Sequence, residues 1–356
     1  MRALSRFAPP LLCLVAFASH VQDTRAGQTI NTGALLVDNL LQREDYMRYG
    51  EHGLHYAEAC AAIGAMRFCS ATEDRARLEA IASRYQKLLE PGSDLISAEP
   101  HVDFSVIGAI PLQAYLSTGD KTQRAFGLRF ADRQWEDPLP SGLTSETRWW
   151  IDDMYMVGLL QMQAFRATED PTYADRAARF LHAYLSRLQQ ENGLFHHGPD
   201  APFLWGRGNG WCASALAEVL SSLPETHPLF PEILARYRTM MRSLLDYQQV
   251  SGMWTQLIDR PDSWEESSCT AMFAYAMQVG INHGWLDAHA YQAPVDKAWT
   301  SLLRRLDEQG DLQDICVGTG QSKDASYYLN RPRHSGDFHG QAPMLWLATQ
   351  RLKIRP

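Results

Sequence analysis

The feature that most constrains the fold of this chain is an internal repeat with a period of 50 residues. Residues 113–135 and 163–185 align with seven identities in register, which are Gln113/Gln163, Ala114/Ala164, Thr118/Thr168, Asp120/Asp170, Thr122/Thr172, Arg129/Arg179 and Phe130/Phe180. In each segment, apolar residues recur at helical spacing on both sides of a T-x-D turn. Each repeat is therefore predicted to form a pair of helices.

Similar helix pairs are predicted, more loosely, over residues 55–89, 213–247 and 270–306. One pair cannot bury its apolar face alone, so a series of pairs predicts a solenoid or a closed ring. About 330 residues follow the predicted N-terminal signal, enough for about six pairs. TPR-like and HEAT-like repeats are usually shorter, about 34 to 47 residues. We predict an all-α protein in which residues 27–356 form one (α/α)6-barrel domain.

The first 26 residues carry the pattern of a secretory signal. Arg2 and Arg6 precede an apolar core, and Ala16 to Ala18 offer a small-x-small cleavage site. Cleavage is expected between about residues 18 and 26. The apolar run falls short of the roughly 20 residues that a spanning helix needs. We expect export to the periplasm or the cell exterior, without a membrane span.

Charge and cysteine usage exclude several classes of function. The chain has 33 Lys and Arg against 41 Asp and Glu, a net charge of −8, which argues against a nucleic-acid partner. After the signal, the cysteines are odd in number and form no CxxC pair, so neither a disulfide framework nor a zinc site is expected. Cys60 and Cys69 are left as either a disulfide or two buried thiols. We expect no metal and no organic cofactor.

Three long connections rich in Gly and Trp are predicted to form the functional site. They cover residues 196–211, 251–268 and 317–340. Long irregular segments in a compact domain are usually functional. If the inner helices of the ring begin at one mouth, these connections meet there with the RWWIDD segment, residues 148–153, around one concave site.

The string WGRGNGW, residues 205–211, is the most specific of the short motifs. Its glycines would let the backbone approach a ligand. Its indoles and guanidinium would suit an acidic sugar, although a Gly-rich helix start with core indoles fits equally well. The candidates for ligand contact are Trp150, His196, His197, Trp205, Arg207, Trp211, Trp254, Arg333 and His339. Trp254 has a core position as its alternative, and at least one of the two adjacent histidines is expected to face the site.

Two carboxylates open predicted helices and are the candidates for acid–base chemistry. Asp152 and Asp153 stand at one helix start, where an aspartate commonly caps. Adjacent helical residues point about 100° apart, so one can cap while the other faces the cavity. Asp103 has the same setting one repeat earlier.

The motifs together resemble a known family. W-I-D-D-M-Y-M, W-G-R-G-N-G-W, E-S-S-C-T-A-M, and G-T-G followed by Y-Y and D-F-H-G, resemble glycoside hydrolase family 105, the unsaturated rhamnogalacturonyl hydrolases. They resemble family 88, the unsaturated glucuronyl hydrolases, more distantly. The resemblance covers nearly the whole mature chain and implies an (α/α)6 barrel. It implies removal of a 4,5-unsaturated uronic acid from acidic oligosaccharides made by polysaccharide lyases. Ala342 stands where the family often has glycine.

The resemblance also assigns roles. Asp152 matches the general acid/base and Asp103 the second carboxylate, and the reaction implied is hydration of the C4=C5 vinyl ether. Asp152 must then hold a proton near neutral pH. We expect burial by Trp149 and Trp150, with repulsion from Asp103, to raise the pKa of Asp152 by more than a helix dipole lowers it. Arg207 is expected to hold the sugar carboxylate.

Four other functions compete with a rhamnogalacturonyl hydrolase. The first is an unsaturated glucuronyl hydrolase, and the second is an inverting glycosidase on saturated sugars with Asp103 and Asp152 as acid and base. A catalytically silent sugar-binding barrel is the third. The fourth is a sugar epimerase, which would need a pair of histidines, and His196 and His197 are poor candidates because they are adjacent.

Overall fold

The computed structural model describes residues 11–50 and 53–353, with side chains from residue 25 onward. The first ten residues of the predicted signal lie outside the described residues. The helices are Leu11–Gln42 (α1), Tyr56–Ala71 (α2), Arg75–Arg84 (α3), Val102–Ser105 (α4), Ala109–Thr118 (α5), Lys121–Arg133 (α6), Asp153–Thr168 (α7), Pro171–Leu188 (α8), Gly206–Leu220 (α9), Phe230–Asp246 (α10), Ser267–Asn282 (α11), Ala288–Leu303 (α12), Ala325–Leu329 (α13) and Phe338–Arg351 (α14). A 3-10 turn, Val106–Gly108, joins α4 to α5, and another covers Tyr85–Leu89.

Within residues 11–50 and 53–353, six inner helices form a closed ring. Contacts run in order through α2, α5, α7, α9, α11 and α14, and α14 returns to α2. Helices α3, α6, α8, α10 and α12 each follow their inner partner on the outside, and α1 packs against α14 as the sixth outer helix. The predicted (α/α)6 barrel is confirmed. Within the described residues, no helix is long and apolar enough to cross a bilayer.

The repeated T-x-D string encodes the turn between an inner and an outer helix. The Thr118 hydroxyl donates to the carbonyl of Ala114, 2.8 Å away, and Gly119 ends α5 at a φ of 82°. Asp120 then accepts from the backbone N–H of Thr122 at 2.8 Å, which caps α6. The second repeat forms the same two bonds at 2.7 and 2.9 Å. The sequence identities therefore mark caps, whose geometry depends only on neighbouring residues.

A buried ionic cluster lies at the end of the ring where the inner helices terminate. Glu218, 2% exposed, accepts from Arg67 at 2.7 Å and from Arg166 at 2.5 Å. The repeated glutamines join the cluster, because Gln163 donates to Gln113 at 2.9 Å. Cations at this end also meet the negative ends of the helix dipoles.

The cysteine alternatives are decided by helix geometry. Cys60 and Cys69 are buried free thiols on α2. Nine residues along one helix separate them by about 13 Å, far beyond disulfide reach. The interpretation as two buried thiols is confirmed.

Two short antiparallel ribbons lie in the long connections. Strand β1, Trp254–Thr255, pairs with β2, Glu265–Glu266, and β3, Ile315–Cys316, pairs with β4, Arg333–His334. The ribbons hold these connections in place at the mouth where the inner helices begin.

Candidate active site

The long connections meet at one mouth of the ring, as predicted. The backbone of Trp205 bridges that of Leu257, and the Gln256 side chain donates to the carbonyl of Tyr328 at 3.3 Å. Gln321 donates to the carbonyl of His197 at 3.3 Å. Polar and aromatic residues at the starts of α2, α4, α7, α9, α11 and α14 lie beneath them, and these include Tyr56, Asp103, Asp152, Arg207, Glu266 and His339.

The two adjacent aspartates divide two roles between them. Asp153 is fully buried and accepts hydrogen bonds from Arg148 at 2.6 and 2.9 Å and from the Tyr184 hydroxyl at 2.6 Å. Asp152 precedes α7 and is 13% exposed, and its Oδ2 has no hydrogen-bond partner among the described residues. That oxygen lies 3.8 Å from Nε2 of His197. Asp153 therefore fixes the helix start, while Asp152 is left with an unpartnered oxygen beside His197.

The Asp152 carboxyl keeps its proton to a higher pH than an ordinary aspartate does. Burial raises its pKa to about 7, and the negative charges of Asp153 and Asp103 act in the same direction. Arg148 and Arg207 oppose this shift without cancelling it. The expected effects of burial and of Asp103 are both confirmed.

The expected contribution of Trp149 is wrong, however. Trp149 has a φ of 61°, and its backbone N–H donates to the Tyr184 hydroxyl at 3.0 Å. Its ring stacks on Tyr184 and lies beneath the Arg187 guanidinium, at 4.8 and 4.0 Å, so it packs against the outer helix α8. Trp150 instead lies beside His197, with ring centroids 5.9 Å apart. The left-handed turn at Trp149 is what sends the two indoles in different directions.

Of the two adjacent histidines, His197 belongs to the site. Its Nδ1 lies 2.8 Å from the Tyr328 hydroxyl, which already accepts from the backbone N–H of Ser322. With the tyrosine hydroxyl as the donor to Nδ1, the histidine hydrogen lies on Nε2, on the side of Asp152. Burial lowers the pKa of His197 to about 3, so the ring is neutral. His196 is half-exposed and makes no hydrogen bond to the described residues.

Arg148 links the two candidate carboxylates and was not among the predicted site residues. Its Nη2 lies 3.4 Å from Asp103 and 2.6 Å from Asp153, and its Nη1 lies 2.9 Å from Nε2 of His101. The Asp103 side chain is 16% exposed. The signal was present in the sequence, since Arg148 begins the RWWIDD segment.

Arg207 has a role that differs from the predicted one. It is fully buried, and both of its Nη atoms donate to backbone carbonyls, those of Cys316 and of Val317. Its guanidinium also lies 4.9 Å from the ring of Trp205. These bonds hold the 316–317 segment over the mouth and leave only Nε of Arg207 without a partner among the described residues.

The glycines of WGRGNGW serve helix packing and not ligand approach. All three lie within α9 at negative φ. A Cβ at Gly206 would come 2.9 Å from Sγ of Cys269, and one at Gly210 would come 2.5 Å from Sδ of Met272. A Cβ at Gly208 would meet a side chain that precedes α7, at 2.8 Å. The glycines let α9 approach its two neighbours in the ring.

Three of the predicted sugar-binding indoles are core residues. Trp254 is fully buried and donates from Nε1 to the carbonyl of Leu244 at 2.7 Å. Trp211 is fully buried inside the ring. Trp205, 2% exposed, packs behind the His197 ring at 4.4 Å. None of them offers an open face on which a sugar could stack, so the core interpretation is correct for all three.

The last two predicted contacts also lie away from the cavity. Arg333 is 48% exposed at the rim, where its guanidinium lies 4.4 Å from the ring of Trp264. His339 is 1% exposed, and its ring nitrogens are bound to Tyr56 and Asp337. His339 can therefore act on a ligand only through Tyr56.

Aromatic residues at the start of α2 complete the wall and were not predicted. Tyr49 stacks on His55 at 4.0 Å and meets Phe104 edge-on at 5.2 Å. Burial lowers the pKa of His55 to about 3, so it is neutral. The sequence signal for these residues was their position near a helix start, because Asp103 and Asp152 also lie at helix starts.

The arrangement suits proton transfer by one carboxyl. Asp152 is a carboxyl of raised pKa beside a neutral imidazole, and Asp103 is a second carboxyl, bonded to a guanidinium. Two carboxyls in such different settings commonly take different roles in acid–base catalysis. Within residues 25–50 and 53–353, no group of three or more His, Cys, Asp or Glu is arranged to hold a metal ion.

Comparison with known sequences finds similar proteins. The sequence profile of Glycosyl Hydrolase Family 88 matches residues 37–355. A Bacillus subtilis (strain 168) protein named unsaturated rhamnogalacturonyl hydrolase YesR is 29% identical over 214 residues, which cover 58% of this chain and 60% of that protein. A protein from Alteromonas sp. (strain LOR), named unsaturated 3S-rhamnoglycuronyl hydrolase, is 25% identical over 301 residues, or 75% of this chain and 71% of the relative.

Solved structures share the fold. A possible member of the GH105 family from Salmonella enterica superposes with a TM-score of 0.79 at 20% identity, covering 99% of this chain and 96% of that one. The unsaturated glucuronyl hydrolase of Bacillus sp. GL1 superposes with a TM-score of 0.64 at 16% identity, covering 90% of this chain and 96% of that one. These similarities support the helical barrel.

Proposed function

The chain belongs to Glycosyl Hydrolase Family 88, and from this premise we propose that it removes a 4,5-unsaturated uronic acid from the non-reducing end of an oligosaccharide. One observation carries the proposal. Asp152 is a carboxyl with a pKa of about 7, and its buried Oδ2, 3.8 Å from Nε2 of His197, has no hydrogen-bond partner among the described residues. Protonation of a carbon atom needs an acid that still holds its proton at neutral pH.

The proposed reaction begins with proton transfer to the alkene. Asp152 donates its proton to C4, and the C4=C5 electron pair forms the new C–H bond. The cation at C5 is stabilised by the ring oxygen. Water adds to C5 and gives one proton to the Asp152 carboxylate, which restores the acid. The resulting hemiketal opens to a ketone, and the hemiacetal formed at C1 then releases the remaining oligosaccharide.

The neighbouring groups would support this chemistry. His197, fixed by Tyr328, would offer its Nε2–H to the sugar beside Asp152. Asp103, paired with Arg148, adds negative charge that raises the pKa of the acid. Because the anomeric carbon is not attacked, the separation of the two carboxyls does not predict a stereochemical outcome here.

For the sugar, we propose a galacturonyl-type residue from pectic rhamnogalacturonan. The names of two relatives, rhamnogalacturonyl and rhamnoglycuronyl hydrolase, both join rhamnose to a uronyl sugar. An unsaturated glucuronyl substrate is the second candidate, because a structure with that name shares the fold. We also propose export by the 1–26 signal, which would bring the protein to products of extracellular lyases.

The direct test follows the ultraviolet absorbance of the conjugated C4=C5 bond. Purified protein is given an unsaturated rhamnogalacturonan disaccharide, an unsaturated glucuronyl disaccharide or a saturated uronyl disaccharide. We expect absorbance to disappear fastest with the first. Faster loss of absorbance with the glucuronyl disaccharide would indicate an unsaturated glucuronyl substrate. Cleavage of the saturated compound alone would favour an inverting glycosidase and overturn the hydration mechanism.

The pH dependence of the rate provides a separate prediction. Because Asp152 must be protonated and its pKa is raised to about 7, kcat/KM is expected to fall tenfold per pH unit above that value. The measurement is the initial rate of alkene loss at low substrate concentration across a pH series. A rate that already falls tenfold per pH unit from about pH 4 to 5 upward, in the ordinary carboxyl range, would contradict the assignment of the acid.

A further inference from the structure

Asp337, His339 and Tyr56 form a buried hydrogen-bonded chain that leads into the cavity. Oδ1 of Asp337 lies 2.6 Å from Nδ1 of His339, and Nε2 of His339 lies 2.7 Å from the Tyr56 hydroxyl. The same carboxylate also caps α14, because it accepts from the backbone N–H of His339 at 2.8 Å. This hydrogen-bonded chain therefore connects α14, the last inner helix of the ring, to α2, the first.

The hydrogens in this chain can be assigned. His339 and Arg207 hold the pKa of the Asp337 carboxyl well below its usual range, against the effect of burial, so Asp337 is charged and only accepts. Nδ1 of His339 is then the donor. Burial lowers the pKa of His339, so the ring is neutral and Nε2 is an acceptor. Tyr56 must give its hydrogen to Nε2, and its oxygen keeps its lone pairs for another partner.

Tyr56 stands at a helix start at the same mouth of the ring as Asp103 and Asp152. Tyr56 is half-buried, at the first turn of α2, and its ring meets Trp211 edge-on at 5.8 Å. Burial raises the pKa of its hydroxyl, and the charges of Arg207, Asp103 and Asp152 act on the same group. Both candidate carboxylates therefore act electrostatically on the hydroxyl.

We propose that Tyr56 is a further catalytic residue, which accepts a hydrogen bond from the water that adds to C5, with His339 and Asp337 as positioning residues. The inference rests on the proposed function. One water hydrogen bonds to Tyr56 and is not transferred, while the other passes to the Asp152 carboxylate. Two acceptors fix the water, so that its lone pair points at C5.

A purely structural role for Tyr56 explains its bond to the His339–Asp337 pair less well. Elsewhere in the ring, the buried Tyr237 donates to the carbonyl of Ala276 at 2.7 Å and needs no ionised partner. Burying a charged carboxylate is costly unless it serves a partner. Here Asp337, besides capping α14, bonds to His339, which in turn bonds to the Tyr56 hydroxyl.

The hydrogen assignment is tested first, by nitrogen NMR of histidine-labelled full-length protein. Tyr56→Phe and His339→Gln variants identify the resonance. We expect the His339 ring to be neutral, with its hydrogen on Nδ1, from pH 6 to 8. A hydrogen on Nε2, or a charged ring, would overturn the proposal without involving the substrate.

The catalytic role is tested by kinetics on the unsaturated disaccharide. Tyr56→Phe is expected to lower kcat about 10- to 100-fold and to change KM by less than about twofold, because orientation of the water is lost and substrate contacts remain. Asp337→Asn should lower kcat about tenfold in the wild type but less than about twofold in the Tyr56→Phe background. Losses that add in the double variant would mean a structural role and would overturn the proposal.

Tyr237→Phe is the matched control, since it removes a buried tyrosine hydroxyl on α10, and its kcat should be unchanged. If Asp337→Asn does not fold, His339→Gln takes its place in the cycle. A rise in KM at constant kcat for Tyr56→Phe would assign Tyr56 to a sugar hydroxyl and overturn the role in water addition. If the wild type consumes no alkene, the proposed function fails, and the role of Tyr56 in water addition fails with it. The NMR result then still tests the hydrogen-bond assignment on its own.

Discussion

Asp152→Asn is expected to abolish measurable turnover, with a loss in kcat of about 10³-fold or more. Asparagine has nearly the same shape, but its amide cannot give a proton to C4 or take one from water. General acid–base groups contribute about 10²- to 10⁴-fold, and Asp152 performs both transfers in the proposed mechanism. The measurement is alkene absorbance under single-turnover conditions, with Asp170→Asn as the control. Asp170 caps an outer helix, where asparagine caps equally well, so this variant should keep full activity.

The same Asp152 variant should be more stable than the wild type at pH 8, which shows that its inactivity is not unfolding. The folded pKa of about 7 exceeds the ordinary unfolded value of about 3.9, so the folded protein loses stability as pH rises between these values. Removing the carboxylate should therefore gain about 2 to 4 kcal/mol at pH 8 and almost nothing near pH 4. Urea unfolding at both pH values measures this. Equal stability of the two proteins at pH 8 would contradict the raised pKa.

Glu218→Ala is expected to lower the free energy of unfolding by about 3 to 5 kcal/mol, because it leaves Arg67 and Arg166 without their carboxylate. Although burial opposes it, the two guanidinium groups hold the pKa of Glu218 well below its usual range. The stability from Glu218 is thus present above the ordinary carboxyl pKa and is lost as pH falls through the depressed value.

Denaturant unfolding at neutral pH measures this loss, and Glu232→Ala is the matched control. Glu232 forms an exposed pair with Arg236 at 3.8 Å, so its removal should change stability by less than about 1 kcal/mol. The Glu218 cluster lies at the end of the ring opposite the proposed site, so kcat of the folded variant should not change. A loss below about 1 kcal/mol for Glu218→Ala would show that the buried cluster contributes no more than a surface pair.

The helical ring could be predicted because the sequence features that indicate it involve residues close together in the chain. The repeat marks helix caps such as Asp120 and Asp170, whose bonds reach only two residues along the chain. Apolar spacing identifies inner helices that are buried on all sides, and six such pairs close on themselves. The carboxylates at the helix starts were predicted for the same reason, since Asp103 and Asp152 follow from helix position alone.

Only the tertiary structure decided which of those residues face the cavity. Adjacent residues such as Asp152 and Asp153 point in different directions, but sequence does not say which direction is inward. The answer depends on the left-handed turn at Trp149 and on Tyr184, a residue of the next helix. Likewise, His197 is selected over His196 by its bond to Tyr328, 131 residues away.

The predictions that were wrong share the same cause. The Arg207 guanidinium could bind a carboxylate. In the folded protein, however, its Nη atoms donate to two backbone carbonyls of the 316–317 segment. Tyr56 and His339 meet across 283 residues because α14 closes the ring against α2. Sequence patterns report what a residue can bond to and where it lies on its own helix. Which partner it finds is settled only when the ring closes, because a hydrogen bond needs two groups within about 3 Å and correctly aligned.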